Sequence, residues 1–161
     1  MNLDEGVLKQ IYVNNINEFA KDHKKMDDKT MYRYILDNLS YRLKNITASS
    51  SNKKEYLKQY ADMAFKDKKQ LLGNRFSEYC RLCTLKAFDD SWVEEVDYLQ
   101  QLQAAISGRS TAQRNLLYEY QREARLSFRD MEKSIKKAMI RNILLGEVSF
   151  GKDNEMIILY P

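Results

Sequence analysis

Proline is almost missing from this chain of 161 residues: the single one is the last residue, and glycine occurs only five times. A many-stranded sheet needs such turn formers at regular intervals, so the scarcity excludes an all-β fold and leaves helix as the default. Histidine occurs once, at His23, and no Gly-x-Ser-x-Gly elbow is present. A serine or cysteine nucleophile therefore has no candidate base. The only two cysteines, Cys80 and Cys83, sit three apart inside an apolar helical pattern. They lack the second pair or the nearby histidines that zinc requires, and read as buried thiols of a reducing compartment, without a disulfide. No apolar run approaches the ~18 residues of a membrane span, and Asp4 and Glu5 stand where a secretory signal carries positive charge. The chain is thus expected to be cytosolic, and the sequons at Asn38 and Asn45 are accidental. Charge is only mildly unbalanced, at +4, which suits a surface that meets acidic partners and falls short of a dedicated nucleic-acid binder.

What is present is helical periodicity. Leu8, Ile11, Tyr12, Ile16 and Phe19 repeat at three and four residues and predict a first amphipathic helix over Leu3–Ala20. After the charged run Lys21–Lys29, Asp28 is expected to cap a second helix, whose stripe is Met31, Tyr34, Ile35, Leu39 and Leu43 and whose end lies near Lys44. The small polar stretch Thr47–Asn52 marks a boundary. A third helix follows over Lys53–Lys69, with room to run on past Gly73.

From Leu82 the pattern becomes very regular. Leu85, Phe88, Trp92, Val96, Leu99, Leu102 and Ile106 recur at steps of three and four, with Leu85, Trp92, Leu99 and Ile106 each seven apart. This is a helix that presents a narrow seam to a partner, with Trp92 as its anchor. Ser107-Gly108-Arg109-Ser110 stops it, and the returning helix carries a matching seam at Leu117, Tyr120, Ala124, Phe128, Met131, Ile135 and Ala138. Two seams of similar length joined by a short loop make an antiparallel pair. At ~1.5 Å per residue the outgoing helix is about 48 Å long, more than a compact domain of this size needs. The loop Gly108–Asn115 holds no large apolar residue, which suits either a functional tip at the end of a stiff arm or a plain connector.

Other features yield less. Gly146 to Asp153 nearly spells a phosphate-binding loop, but Asp153 replaces the Ser or Thr that would hold magnesium, and the segment follows a helix where a P-loop follows a strand. Glu94-Glu95 and Asp89-Asp90 read as a solvated helix face. Arg122, Arg125, Arg129 and Lys133, continued by Lys136 and Lys137, form a basic stripe away from the seam that suits anionic lipid, nucleic acid or an acidic protein surface. Glu123, Asp130 and Glu132 interrupt it, as in a solvated face with i,i+4 pairs. The last residues, with Val148 and Phe150 before Gly151 to Asn154 and Met156 to Tyr160 after, suggest a small β-hairpin or an extended tail packed on the helices.

Phe88-Asp89-Asp90-Ser91-Trp92, then Arg109 and Ala112-Gln113-Arg114, then Glu119-Tyr120-Gln121-Arg122-Glu123, then Phe128 and Met131 resemble, in that order, the C-terminal helical region of SecA. SecA is the motor family of bacterial preprotein export. Its members carry an Asp-x-x-Trp helix, a loop of the form Arg-Gly-Tyr-Ala-Gln-Lys-Asp-Pro, then Glu-Tyr-Lys-x-Glu and Phe-x-x-Met, and the spacing from Trp92 to Met131 matches without a gap. Good similarity covers about residues 70 to 145, while residues 1 to 69 correspond by position to the helical wing of the family.

The resemblance implies an all-α fold with a two-helix finger at 70–145, a wing-like region at 1–69 and a tail at 146–161. It implies that the loop residues Arg109, Ser110, Thr111, Ala112, Gln113 and Arg114 meet a SecY-type channel and the exported preprotein, while the hairpin packs on the motor domains of the parent chain and restrains them. The family's tip tyrosine falls on Thr111, its Lys-Asp-Pro on Arg114-Asn115-Leu116 and the usual histidine of the Trp helix on Glu95. The cysteine- and histidine-containing zinc tail of many housekeeping members is absent. These departures point to an accessory paralogue. Walker motifs are absent too, so the chain is expected to be a C-terminal piece of a larger ATPase that uses ATP and magnesium. That protein would sit peripherally on the inner face of the cell membrane, with anionic lipid as a contact and no nucleic acid. The competing class is a stand-alone helical interaction module that binds an acidic partner or nucleic acid.

Overall fold

The computed structural model describes residues 4–44, 52–108 and 115–161. Among the described residues, five α-helices are followed by one β-hairpin: α1 Glu5–Asp22, α2 Asp28–Asn38, α3 Lys53–Leu72, α4 Phe76–Ser107, α5 Leu116–Leu145, then β1 Glu147–Phe150 and β2 Met156–Leu159. The all-α class, the long hairpin and the small terminal sheet all agree with the sequence patterns.

Side-chain caps start four of the helices. The carboxylates of Asp4 and Asp27 accept from Gly6 N (2.9 Å) and Thr30 N (2.8 Å), and the amide oxygens of Asn52 and Asn115 accept from Lys54 N (2.9 Å) and Tyr118 N (3.2 Å). Each satisfies an amide that has no partner inside its own helix. The cap of α2 is therefore Asp27 rather than Asp28, which becomes the first helical residue. This helix also ends earlier than its apolar stripe suggested. Ser40 closes a local turn on the backbone of Arg42, and the Tyr60 hydroxyl takes the amide of Lys44 (3.0 Å) and donates to the carbonyl of Arg42 (3.0 Å). The chain is thereby pinned to α3 in a non-helical course, and Leu43 stands exposed. Helix α3 does not run on past Gly73 either. That glycine takes φ +53°, a value that L-residues avoid, and a three-residue 3₁₀ turn then redirects the chain into α4. The proposed boundary stretch lies outside the described residues except for Asn52.

The core lies at one end of the molecule. Leu8, Tyr12 and Ile16 of α1, Met31 and Ile35 of α2 and Leu57, Tyr60, Ala61 and Phe65 of α3 close around the root of the hairpin, from Phe76 to Ala87 on α4 and from Ile135 to Leu144 on α5. Burying each large apolar side chain contributes about 1.5–3 kcal/mol, so helices α1 to α3 and the hairpin root stabilise one another as one core. Cys80 and Cys83 belong to it as free thiols, each pushed up to about 12 by burial. In the described residues, α4 contributes nothing to this core beyond Ala87 and α5 nothing before Met131.

The antiparallel pair β1–β2, with Val148 opposite Ile158, occupies the P-loop-like segment, which ends in a turn where a phosphate site would need a helix to begin. Arg75 ties this hairpin to the α3–α4 corner, with Nη1 donating to Asn154 O (3.2 Å) and the guanidinium over the Phe150 ring (5.2 Å).

Candidate interaction site on the helical hairpin

The root of the hairpin is held by polar groups as well as by the core. The Tyr79 hydroxyl of α4 lies 2.8 Å from the carbonyls of Asn142 and Ile143 and 3.3 Å from that of Gly146, the last carbonyls of α5. Lys68 of α3 donates to Gly146 O at 2.7 Å, and Asn142 Nδ2 donates back to Cys83 O at 3.0 Å. A cation and a hydroxyl thus complete the negative end of α5. Burial raises the Tyr79 phenol far above its ordinary range and lowers the Lys68 ammonium. At Gly146 a Cβ would collide with the Asn142 carbonyl and the Tyr79 hydroxyl, so this close approach requires glycine.

Beyond the core, α4 and α5 pack only along their mutual seam, and its composition differs from the apolar stripe expected. Ser91, Glu95, Leu99, Leu102 and Ile106 face Tyr120, Ala124, Ser127 and Met131, with Ile106 and Ala124 buried and Leu99, Tyr120 and Met131 half-buried. Trp92, expected as the anchor, is 56% exposed, and Phe128 is 41% exposed. The reason is helical drift. A straight α-helix turns away from a strict seven-residue repeat by ~20° per heptad, so a stripe aligned at Ile106 has rotated by roughly 60° at Leu85. Small residues, Ala87, Ser91, Ala124 and Ser127, occupy the contact line, and a tryptophan there would force the helices apart.

Glu95, expected on the solvated face, is only 6% exposed. The Ser127 hydroxyl lies 2.8 and 2.7 Å from its two carboxylate oxygens and shares its proton between them. A buried carboxylate in an interhelical seam is costly unless hydrogen-bonded, and this one is held by a neutral donor.

The flanks of the hairpin differ in chemistry. One carries an open groove of about 470 Å³ bordered by Glu94, Glu123, Asp130 and Tyr98. The other flank of α4 presents Leu85, Phe88 and Trp92, all exposed. The back of α5 bears Arg122, Arg125 and Arg129 around a shallow hollow with Tyr118 and Leu126, and Lys133 extends the stripe. Arg122 pairs with Glu123 (3.3 Å) and Lys136 with Glu132 (3.1 Å), while Arg125, Arg129 and Lys133 have no ion pair among the described residues. The expected tip residues Arg109, Ser110, Thr111, Ala112, Gln113 and Arg114 lie outside the described residues. Among the described residues, no three His, Cys, Asp or Glu side chains converge on one point, and no helix is long and apolar enough to cross a membrane.

Three helices wrapped on the root of a helix pair, which then extends alone with a different chemistry on each side, define a scaffold that carries an arm. The model of the SecA wing and scaffold domain matches residues 2–147. Among the relatives are proteins named protein translocase subunit SecA 2. The one from Streptococcus agalactiae is 44% identical over 130 residues, which cover 80% of this chain and 16% of that protein. Those from Streptococcus sanguinis and Staphylococcus aureus are 36% and 33% identical, covering 81% and 89% of this chain and 17% and 19% of theirs. The chain belongs to the SecA family, in its wing and scaffold region. It spans less than a fifth of the length of these three relatives.

Proposed function

We propose that this chain is the wing and two-helix finger of an accessory SecA motor that drives ATP-dependent export through a SecY-type channel. Residues 1–69 act as the wing, 70–145 as the finger and 146–161 as a tail folded back on the finger root. The tip, Arg109 to Arg114, meets the channel and the exported polypeptide, and ATP and magnesium belong to the motor domains of the parent protein. The parent protein works in the cytoplasm, bound peripherally to the membrane.

The observation that carries the reading is the contrast across α4: one side is locked into the core as far as Ala87, while another flank bears Leu85, Phe88 and Trp92 in the open. An exposed stripe of two aromatics and a leucine fits a docking face, and the motor domains are the occupant in this reading. The Arg122, Arg125, Arg129 and Lys133 stripe on the opposite helix is left for acidic channel loops or anionic lipid.

The test adds the chain in trans to a motor core truncated before the wing. Binding and a lowered ATPase rate are expected, both weakened by a double F88A/W92A variant that keeps its melting temperature. A core whose ATPase and sedimentation ignore the wild-type chain would refute the assignment.

A further inference from the structure

The α1–α3 side of the molecule carries a second charged feature. The last turn of α1 and the residues after it meet the first turn of α3 across an open basin of about 960 Å³. Lys21, Lys24 and Lys25 line one side and Lys53, Lys54 and Lys58 the other, with Glu18 as the only acidic residue on the wall. Some of this charge is compensated. Lys21 pairs with Glu18 at 3.3 Å, Lys53 with Asp28 at 3.6 Å and Lys58 with Glu55 at 3.4 Å. Lys24, Lys25 and Lys54 have no ion pair among the described residues.

Helix electrostatics explains half of this arrangement and is violated by the other half. Lysines at the end of α1 are favourable beside its last carbonyls. Lys53 and Lys54, the first two residues of α3, are not: they add positive charge where the helix dipole and the unpaired amides are already positive. They do so facing three more lysines. Glu55 in the same turn and the Lys53–Asp28 pair offset part of this charge, while Lys54 has no ion pair among the described residues. An anion in the basin removes the conflict at once, since it is attracted by both sets of lysines and by the amino end of a helix of 20 residues. Asn17 also lines the basin, and its buried Oδ1 has no hydrogen-bond partner.

We propose that this basin is a binding site for a phosphate-bearing ligand, held by Lys24, Lys25 and Lys54 at the start of α3. The basin is many times larger than one phosphate, so the ligand carries more than one anionic group or presents several side by side. Free polyphosphate anions and the headgroups of an anionic bilayer share this chemistry.

The test uses the intact chain, with pyrophosphate as the soluble probe and vesicles of phosphatidylglycerol in phosphatidylcholine as the surface probe. A K24Q/K25Q/K54Q variant is compared with wild type, and R122Q/R125Q/R129Q serves as a control on the hairpin. Thermal melts and amide spectra show that each variant keeps its fold. If the free anion is the ligand, pyrophosphate shifts the amide signals of Asn52 to Lys54 and the side-chain amide of Asn17, and affinity falls at least about tenfold in the wing variant. If headgroups are the ligand, vesicle co-sedimentation falls instead, by roughly a hundredfold at about fivefold per lysine. Either result supports the site. Binding that persists in the folded wing variant, that is lost only in the hairpin control, or that is absent from wild type with both probes at low salt would overturn it.

Discussion

The contact between Glu95 and Ser127 makes a prediction that goes to the construction of the arm. Changing Ser127 to alanine removes a single oxygen from the seam, and leaves a carboxylate that is 6% exposed without its hydroxyl donor. Hydrogen bonds to charged groups contribute about 1.5–3 kcal/mol, so a loss of about 2 kcal/mol is expected, along with a drop of roughly 4–8 °C in melting temperature if the chain unfolds as one unit. The distal hairpin rests on few apolar contacts and opens more easily than the core. Hydrogen exchange is therefore the better assay: amides of Val96 to Leu102 and Tyr120 to Ala124 are expected to exchange about thirtyfold faster in S127A, while those of Ile140 to Leu144 remain unchanged. The converse substitution tests the sign. An E95L/S127A pair replaces a buried ion with an aliphatic side chain of similar volume, and is expected to be neutral or more stable by about 1–4 kcal/mol. If exchange in S127A is unchanged, the carboxylate is hydrated and the seam is not dry. If E95L/S127A loosens the hairpin, the polar pair is needed for packing, and the reasoning fails.

Four further expectations follow from the root and the faces. Y79F keeps the ring but leaves the carbonyls of Asn142, Ile143 and Gly146 without their hydroxyl, which is expected to cost about 1–3 kcal/mol in urea denaturation. G146A forces a methyl group against two oxygens of the same cluster and is expected to cost about 1–3 kcal/mol, read from the same urea curves. W92A, at a 56% exposed site, is expected to shift stability by less than about 0.5 kcal/mol, which a thermal melt would show. For the thiols of Cys80 and Cys83, pushed up to about 12, the neutral form is favoured by the fold. Their contribution is thus complete below the ordinary thiol value of about 8.5 and is lost as pH rises from there towards 12. Urea midpoints measured from pH 7 to 11 should stay level and then fall, with the fall reduced in a C80A/C83A variant.

The sequence made the helices legible because burial recurs every three or four residues and because asparagine or aspartate stands before four of the five starts. It was misleading where one pattern served two ends. Leu43 continues the apolar spacing of α2, yet Tyr60, distant in sequence, decides where the chain turns. Trp92 fits the heptad through Leu99 and Ile106, but a straight helix does not follow a heptad, and the largest side chain of the arm ends on its flank. Glu95 shows the same limit from the other side: both it and its neighbour Glu94 border the groove, yet Glu94 is exposed and Glu95 buried, and only the course of the partner helix separates them. The resemblance located the family from residues spread between Phe88 and Met131. The surfaces that distinguish this hairpin, aromatic on one flank and acidic on the other, required the helix pair in three dimensions.

The cluster of carbonyls around Tyr79 has a mechanical consequence. A helix pair clamped at one end is a cantilever, and the part of α4 past Ala87, about 20 residues, extends roughly 30 Å from its support. A tilt of about 5° at the clamp sweeps the free end through close to 3 Å, whereas the oxygens around the Tyr79 hydroxyl move by only a few tenths of an ångström, less than a hydrogen bond tolerates before it breaks. Displacement is thus multiplied outward, and force is multiplied inward. A load applied at the far end reaches the Tyr79, Lys68 and Gly146 contacts several times larger, so those contacts set the stiffness of the arm.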